Sequence, residues 1–157
     1  MLLYLLRHAE AEDVASSDAV RRLTPKGEQQ AVRVGEFCHE HGVVPPVILT
    51  SPVTRARQTA EIVQKEIGQP ELLEVRWAAC GMDPWAAMDR LNEMKQFPAV
   101  MLVGHQPDLG GLAAALLGLT SAHPLRVRKA LLMGIEVPHG MKTGGGILQF
   151  FIPPKLM

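Results

Sequence analysis

Apolar residues in this chain fall into short unbroken runs, separated by stretches in which they recur at helical spacing. Leu2-Leu3-Tyr4-Leu5-Leu6, Val47-Ile48-Leu49-Thr50 and Val100-Met101-Leu102-Val103 show no alternation. That pattern predicts strands buried on both faces. Between them the period lengthens. Thr24-Pro25 supplies a capping hydroxyl and a proline at the first helical position; Ala31, Val34 and Cys38 follow on one face, and Gly42 ends the element. Ala56, Ala60, Val63 and Ile67 form a second stripe that stops at Gly68. Asp83-Pro84 caps a third helix predicted to reach about Phe97, with Trp85, Met88 and Leu91 assigned to the core. Pro107 opens a fourth, whose Leu109, Leu112, Ala113, Leu116 and Leu117 give the strongest periodic signal.

Leu72 to Trp77 reads as a further strand, and residues 10–23 as a polar loop over the end of the first. Residues 129–137 and 147–152 read as two strands joined by a turn at Gly144-Gly145-Gly146, an antiparallel hairpin that closes the sheet. Alternating strands and helices predict an α/β three-layer sandwich with a mostly parallel central sheet and helices on both faces. The length of 157 residues fits a single domain spanning 1–157.

Charge narrows the partners. Lys+Arg and Asp+Glu both number 16, so the net charge is zero with neutral histidines. No basic stripe or polybasic anchor stands out, so neither nucleic acid nor a membrane is expected as a partner. Any positive cluster must be local, which suits a phosphate pocket. Cys38 and Cys80 are too few for a disulfide framework and lack metal-ligand spacing, and Cys38 falls on an apolar helix face. His39 and His41 stand two apart and cannot share a helix face, so no metal is expected. The N-terminal apolar run is too short for a signal segment, and the expected location is the cytoplasm.

Open parallel sheets bind ligands outside the carboxyl ends of their strands. The first predicted strand ends in Arg7-His8, the second leads through Ser51-Pro52 to Arg55, and the fourth ends in Gly104-His105. Two histidines and two arginines thus converge on one rim. A neutral imidazole has a lone pair for attack, and guanidinium forks match phosphate oxygens. The set suits phosphoryl transfer through a covalent phosphohistidine: His8 attacks phosphorus while Arg7, Arg55 and His105 neutralise the spread charge. Water then hydrolyses the phosphoenzyme, with no cofactor required. Activity is expected to fall in acid, as His8 takes up a proton.

Tyr4-Leu5-Leu6-Arg7-His8-Ala9-Glu10-Ala11, Asp18-Ala19-Val20-Arg21-Arg22-Leu23-Thr24, Leu49-Thr50-Ser51-Pro52 with Arg55-Ala56-Arg57-Gln58-Thr59-Ala60, and Val103-Gly104-His105-Gln106-Pro107 occur in that order. With these segments the chain resembles the histidine phosphatase superfamily, and within it the small phosphohistidine phosphatases of the SixA type. The resemblance implies a phosphoglycerate mutase-like fold, His8 as nucleophile, and Arg7, Arg55 and His105 around the phosphate. It adds Arg21 as a further phosphate-pocket arginine. Two departures stand out. Ala9 replaces the glycine of the family's Arg-His-Gly signature, and Trp77-Ala78-Ala79-Cys80-Gly81 offers no carboxylate where many members carry a general acid.

An imidazole leaving group needs such an acid less than an alkoxide does, which favours a phosphohistidine substrate in a protein partner. The alternatives are a small-molecule phosphomonoesterase and a binding module for phosphohistidine without turnover. The remaining polar residues have plainer readings. Arg57 is a rim or structural charge, Asp83 a helix cap, Glu10 and Glu12 loop carboxylates, and Lys129 a residue near the site rim. His123 and His139 carry no pattern.

Overall fold

The computed structural model describes residues 1–157. Six strands form one sheet: β1 (Leu2–Arg7), β2 (Val47–Thr50), β3 (Glu71–Glu74), β4 (Ala99–Gly104), β5 (Leu132–Glu136) and β6 (Ile147–Ile152), in the order β3-β2-β4-β1-β5-β6. The first four in that order run parallel, while β5 is antiparallel to both β1 and β6. Helices α1 (Pro25–Glu40) and α2 (Thr54–Glu66) cover one face, and α3 (Pro84–Asn92) and α4 (Asp108–Leu117) the other.

The unbroken apolar runs have a simple cause. Successive strand side chains point to opposite faces. Leu3 and Leu5 enter the core under α3 and α4, whereas Tyr4 and Leu6 enter the core under α1 and α2. Both faces are covered, so the interior positions of β1 and β4 are apolar and the first charged residue, Arg7, comes at the strand end. The three-layer sandwich, the mostly parallel sheet and the antiparallel C-terminal pair all match the sequence-based expectation. No helix is long and apolar enough to cross a membrane.

Caps act as their residues dictate. Thr24 Oγ1 accepts from Gly27 N at 3.1 Å, and Asp83 Oδ2 accepts from Ala86 N at 2.8 Å. Asp83 is therefore a helix cap. Gly27 has a second role, because a Cβ there would collide with the Glu10 carbonyl. The helix lies directly against the segment that follows His8.

Several boundaries differ from expectation. The third strand stops at Glu74 rather than Trp77, because its partner β2 ends at Thr50, and Arg76–Ala78 turns into a 3-10 helix. Helix α3 ends at Asn92, not near Phe97; residues 92–97 close in tight turns ahead of Pro98, which disfavours helix in the residue before it. Strand β5 starts at Leu132 rather than 129, since Ala130 adopts a positive φ of 55° and donates its N–H to both Arg7 O and His8 O at 3.1 Å. The β5–β6 connection is a ten-residue loop, 137–146, with Gly144 and Gly146 bonded to carbonyls near the end of α4.

Trp85 is the clearest correction to the expected core. It is 61% exposed, while Met88 and Leu91 are buried beside Ala87. At roughly 100° per residue, Trp85 lies roughly 110° around the helix from the centre of that buried trio. Its spacing from Met88 suggested a stripe, but the stripe runs through Ala87.

Candidate active site

Register sets the rim. Arg7 pairs with Gly104 and Thr50 with Val103, so the carboxyl ends of β1, β2 and β4 finish level. The ladder continues one residue further, with His8 N donating to Gly104 O at 3.0 Å and Ser51 N to Val103 O at 3.1 Å. His8, Ser51 and His105 are therefore fixed by the sheet itself.

His8 is buried, 6% exposed, and its ring is oriented from both sides. Nδ1 lies 2.8 Å from Ala9 O, an atom that can only accept, so the ring proton sits on Nδ1. Arg55 Nε donates to Nε2 at 3.2 Å, which marks Nε2 as the atom with the free lone pair. Burial pushes the His8 pKa down to about 3, with the charges of His105, Arg55 and Arg7 adding to it and the Ala9 bond opposing. The ring stays neutral across the physiological range.

His105 faces it, with ring centroids 5.2 Å apart. Its Nε2 lies 2.8 Å from Ser51 Oγ, which already accepts from Val53 N at 3.2 Å. The serine proton is then free to point at Nε2, leaving the imidazole proton on Nδ1. Burial, then Arg55, pushes the His105 pKa down to about 4, against the opposing pull of Asp108 and Asp18.

The arginines divide the work. Arg7 Nη1 donates to Val127 O at 2.9 Å. Burial, then the neighbouring charge of Arg55, lowers its pKa from the usual value. Arg55, in the first turn of α2 and 4% exposed, bonds His8 through Nε and Asp18 through both Nη atoms: Nη1 to its backbone O at 2.8 Å, Nη2 to Oδ2 at 3.0 Å. Arg21 Nη2 takes the other oxygen, Asp18 Oδ1, at 2.9 Å, and its Nη1 reaches Glu12 O at 3.0 Å. Asp18 thus ties Arg21 to Arg55, while Arg22 is exposed. Arg57 pairs with Glu61 at 3.6 Å on the outer surface of α2, as a rim charge would.

Three buried side-chain polar atoms have no hydrogen-bond partner: Arg7 Nε, Arg21 Nε and His105 Nδ1. All three belong to the residues singled out in sequence. All are donors in the assigned tautomers, and an anion is what such donors take.

The main-chain amides of residues 8–10 and of Ser51 do not join them. Ala9 N donates to Thr59 Oγ1 at 3.1 Å, Glu10 N to Gln30 Oε1 at 2.9 Å, and those of His8 and Ser51 to the sheet. Thr59 in turn donates to Arg55 O at 2.7 Å, tying α2 to the end of β1. The Ala9 methyl is fully buried in the core under α1 and α2, so it occupies packing space rather than the phosphate approach.

Sequence reasoning missed Asp18, Ser51 and Thr59 as parts of this network. Asp18 had one signal, its place three residues before Arg21 in a matched segment. Asp18 does not stand in for the general acid that the sequence lacks. Arg55, through its hydrogen bond first, holds the Asp18 carboxyl below its ordinary range, so it is ionised and has no proton to give. Asp108 Oδ2 accepts from Gly81 N at 2.9 Å and pins the 77–81 segment, whose Cys80 Sγ touches Arg55 Nη2 at 3.6 Å. No group of three or more His, Cys, Asp or Glu side chains could hold a metal ion.

The chain is similar in sequence and in fold to known proteins. An uncharacterised protein of Picosynechococcus is 37% identical over 140 residues, 87% of this chain and 85% of that protein. The phosphohistidine phosphatase SixA homolog of Haemophilus influenzae is 30% identical over 131 residues, 75% of this chain and 78% of its own. Among solved structures, the protein histidine phosphatase SixA complexed with tungstate superposes with a TM-score of 0.90 at 23% identity, covering 99% of both chains. Residues 3–110 match the model of the histidine phosphatase superfamily, branch 1. The chain belongs to the histidine phosphatase superfamily.

Proposed function

We propose that the protein is a cofactor-independent phosphohistidine phosphatase, acting on a phosphorylated protein through a covalent phosphoenzyme on His8. The observation that carries this reading is the set of three orphaned buried donors beside a neutral, oriented imidazole. A buried unpaired donor costs about 1–3 kcal/mol, and a phosphoryl group offers each an acceptor oxygen. His8 Nε2 attacks phosphorus and forms the new N–P bond as the substrate N–P bond breaks. The departing imidazole leaves neutral when its other nitrogen carries a proton, so the enzyme need not supply one. Arg55 Nε, displaced from Nε2, turns to a phosphoryl oxygen, with Arg7, Arg21 and His105 Nδ1 on the others. Water then attacks phosphorus, the His8 bond breaks, and inorganic phosphate departs.

The ionised state of Asp18 supports this substrate over an alkyl monoester. An alkoxide would need a proton that ionised Asp18 does not hold. Two free cysteines fit a reducing, cytoplasmic setting, and a role in signal transduction follows from such a substrate.

Phosphate release is measured from a phosphohistidine protein, an aryl phosphate and a panel of sugar phosphates, with wild type and His8→Ala side by side. The expected result is preference for the phosphohistidine protein, lost in His8→Ala, with an acid-labile phosphoenzyme trapped only in wild type. Preference for small monoesters would replace the substrate class. Binding without turnover would turn the protein into a recognition module.

A further inference from the structure

Two adjoining hollows lie outside the phosphoryl pocket, and their charge is one-sided. The first, about 410 Å³, is bounded by Lys26 and Arg33 of α1 and by Lys155 of the C-terminal 3-10 turn (Pro154–Leu156). The second, about 250 Å³, shares Lys155 and Gln30 with it and adds Arg128 and Lys129. Together they make a trench with five cations. Glu10 is its one carboxylate, and that is already bonded to Lys26 at 3.0 Å. Arg33, Arg128, Lys129 and Lys155 have no carboxylate within ion-pair distance. In a chain of zero net charge, this concentration is local.

The trench borders the segment that frames His8. Val127 O holds Arg7 and Ala130 N binds the His8 carbonyl, so the segment that frames the nucleophile also carries Arg128 and Lys129. From there the exposed face of α1 carries the positive charge onward, since residues 26, 30 and 33 share one side of a helix. Lys26 to Arg33 spans about 10 Å at 1.5 Å per residue. That is the length of roughly three extended residues, too long and too open for a lone phosphate.

We propose that this trench docks an acidic segment of the phosphorylated partner protein, placing recognition beside the phosphoryl pocket rather than in it. The proposal rests on the reading of the site as a phosphatase for phosphohistidine proteins. It deepens that reading by naming the partner's surface chemistry. Exposed cations of this kind act mainly by steering encounter and fixing register, with an effect that salt weakens.

Arg33→Glu combined with Lys155→Glu reverses two exposed charges outside the phosphoryl pocket. Kinetics are run on a phosphohistidine protein with an acidic surface and on free phosphohistidine, at low and at physiological salt. A fluorescent Asp/Glu-rich peptide is titrated in parallel by anisotropy. The expected result is a roughly tenfold rise in KM for the protein substrate, with kcat and free phosphohistidine turnover unchanged. Peptide binding weakens by a similar factor, and the salt dependence of wild type disappears. Equal KM and equal peptide binding in the two proteins would overturn the dock. Failure of wild type on every phosphohistidine substrate would sink the site reading instead, and the peptide titration would still decide the trench. Tighter binding of a single-stranded oligonucleotide than of the peptide would overturn the acidic-protein assignment.

Discussion

The two halves of the active site are held by different forces. His8, Ser51 and His105 stand on the ends of three parallel strands, and the backbones of His8 and Ser51 extend the hydrogen-bonded ladder. Asp18 and Arg21 stand on the loop between β1 and α1, whose two ends are bridged to each other at Ala11 and Leu23 and which is tied to α2 by Leu23 N to Gln58 Oε1 and by the ion pair of Asp18 with Arg55. Burial and register fix the first half; charge fixes the second. The half that carries His8 should thus be insensitive to salt and slow to move. The loop half should answer to ionic strength and to single charge changes.

Arg55 belongs to both halves, so its loss tests the division hardest. Arg55→Ala is expected to lower kcat/KM by roughly a hundred- to a thousand-fold. It should also expose residues 12–21 to limited proteolysis, while the unfolding transition of the sheet survives. A cut rate equal to wild type would mean that the bond from Leu23 N to Gln58 holds the loop without Arg55.

Acid comes next and acts on the sheet half. Folded-state values of about 3 for His8 and about 4 for His105 lie below the usual 6.5, so both rings stay neutral until the medium is strongly acidic. The fall in activity expected from sequence therefore moves to lower pH. Corrected for substrate ionisation, kcat/KM should hold from neutrality to about pH 4 and drop below it. Depressed values also mean that the unfolded chain binds more protons. Stability is fully present above pH 6.5 and declines as pH falls through that window towards 3. A rate profile breaking near 6.5 would contradict the tight burial of His8.

The mildest test concerns the loop half. Asp18→Asn keeps the shape but removes the charge that ties Arg21 to Arg55, and the Asp18 side chain is 64% exposed. Exposed pairs contribute about 0–1 kcal/mol, so KM should change by less than about tenfold and kcat hardly at all. The difference from wild type should shrink as salt is added. An effect as large as that of Arg55→Ala would erase the distinction between the halves.

The same division explains what could be read in sequence. The apolar runs of β1, β2 and β4 and the residues at their tips were legible because burial on both faces leaves a one-letter pattern. Arg7, His8, Arg55 and His105 were found in this way, and the structure brings them together. Arg21 required resemblance, since nothing local separates it from Arg22; its partner Asp18 is a contact between the β1–α1 loop and a helix, which has no period. The stop of β3 depends on the length of β2, and the start of β5 on two carbonyls at the end of β1. Trp85 was misassigned because its spacing from Met88 is helical while the buried face is set by Ala87. The basic trench joins residues 26 and 155, a distance along the chain that no local pattern spans.

The commitment of the amides at His8, Ala9, Glu10 and Ser51 to protein acceptors has an evolutionary corollary. A pocket lined by main-chain donors can be altered only by rebuilding a loop. Here Arg7, Arg21 and His105 present unpartnered side-chain donors, each of which can be lengthened, weakened or deleted by one codon change. Such a site can drift between substrates while the sheet beneath it stays the same.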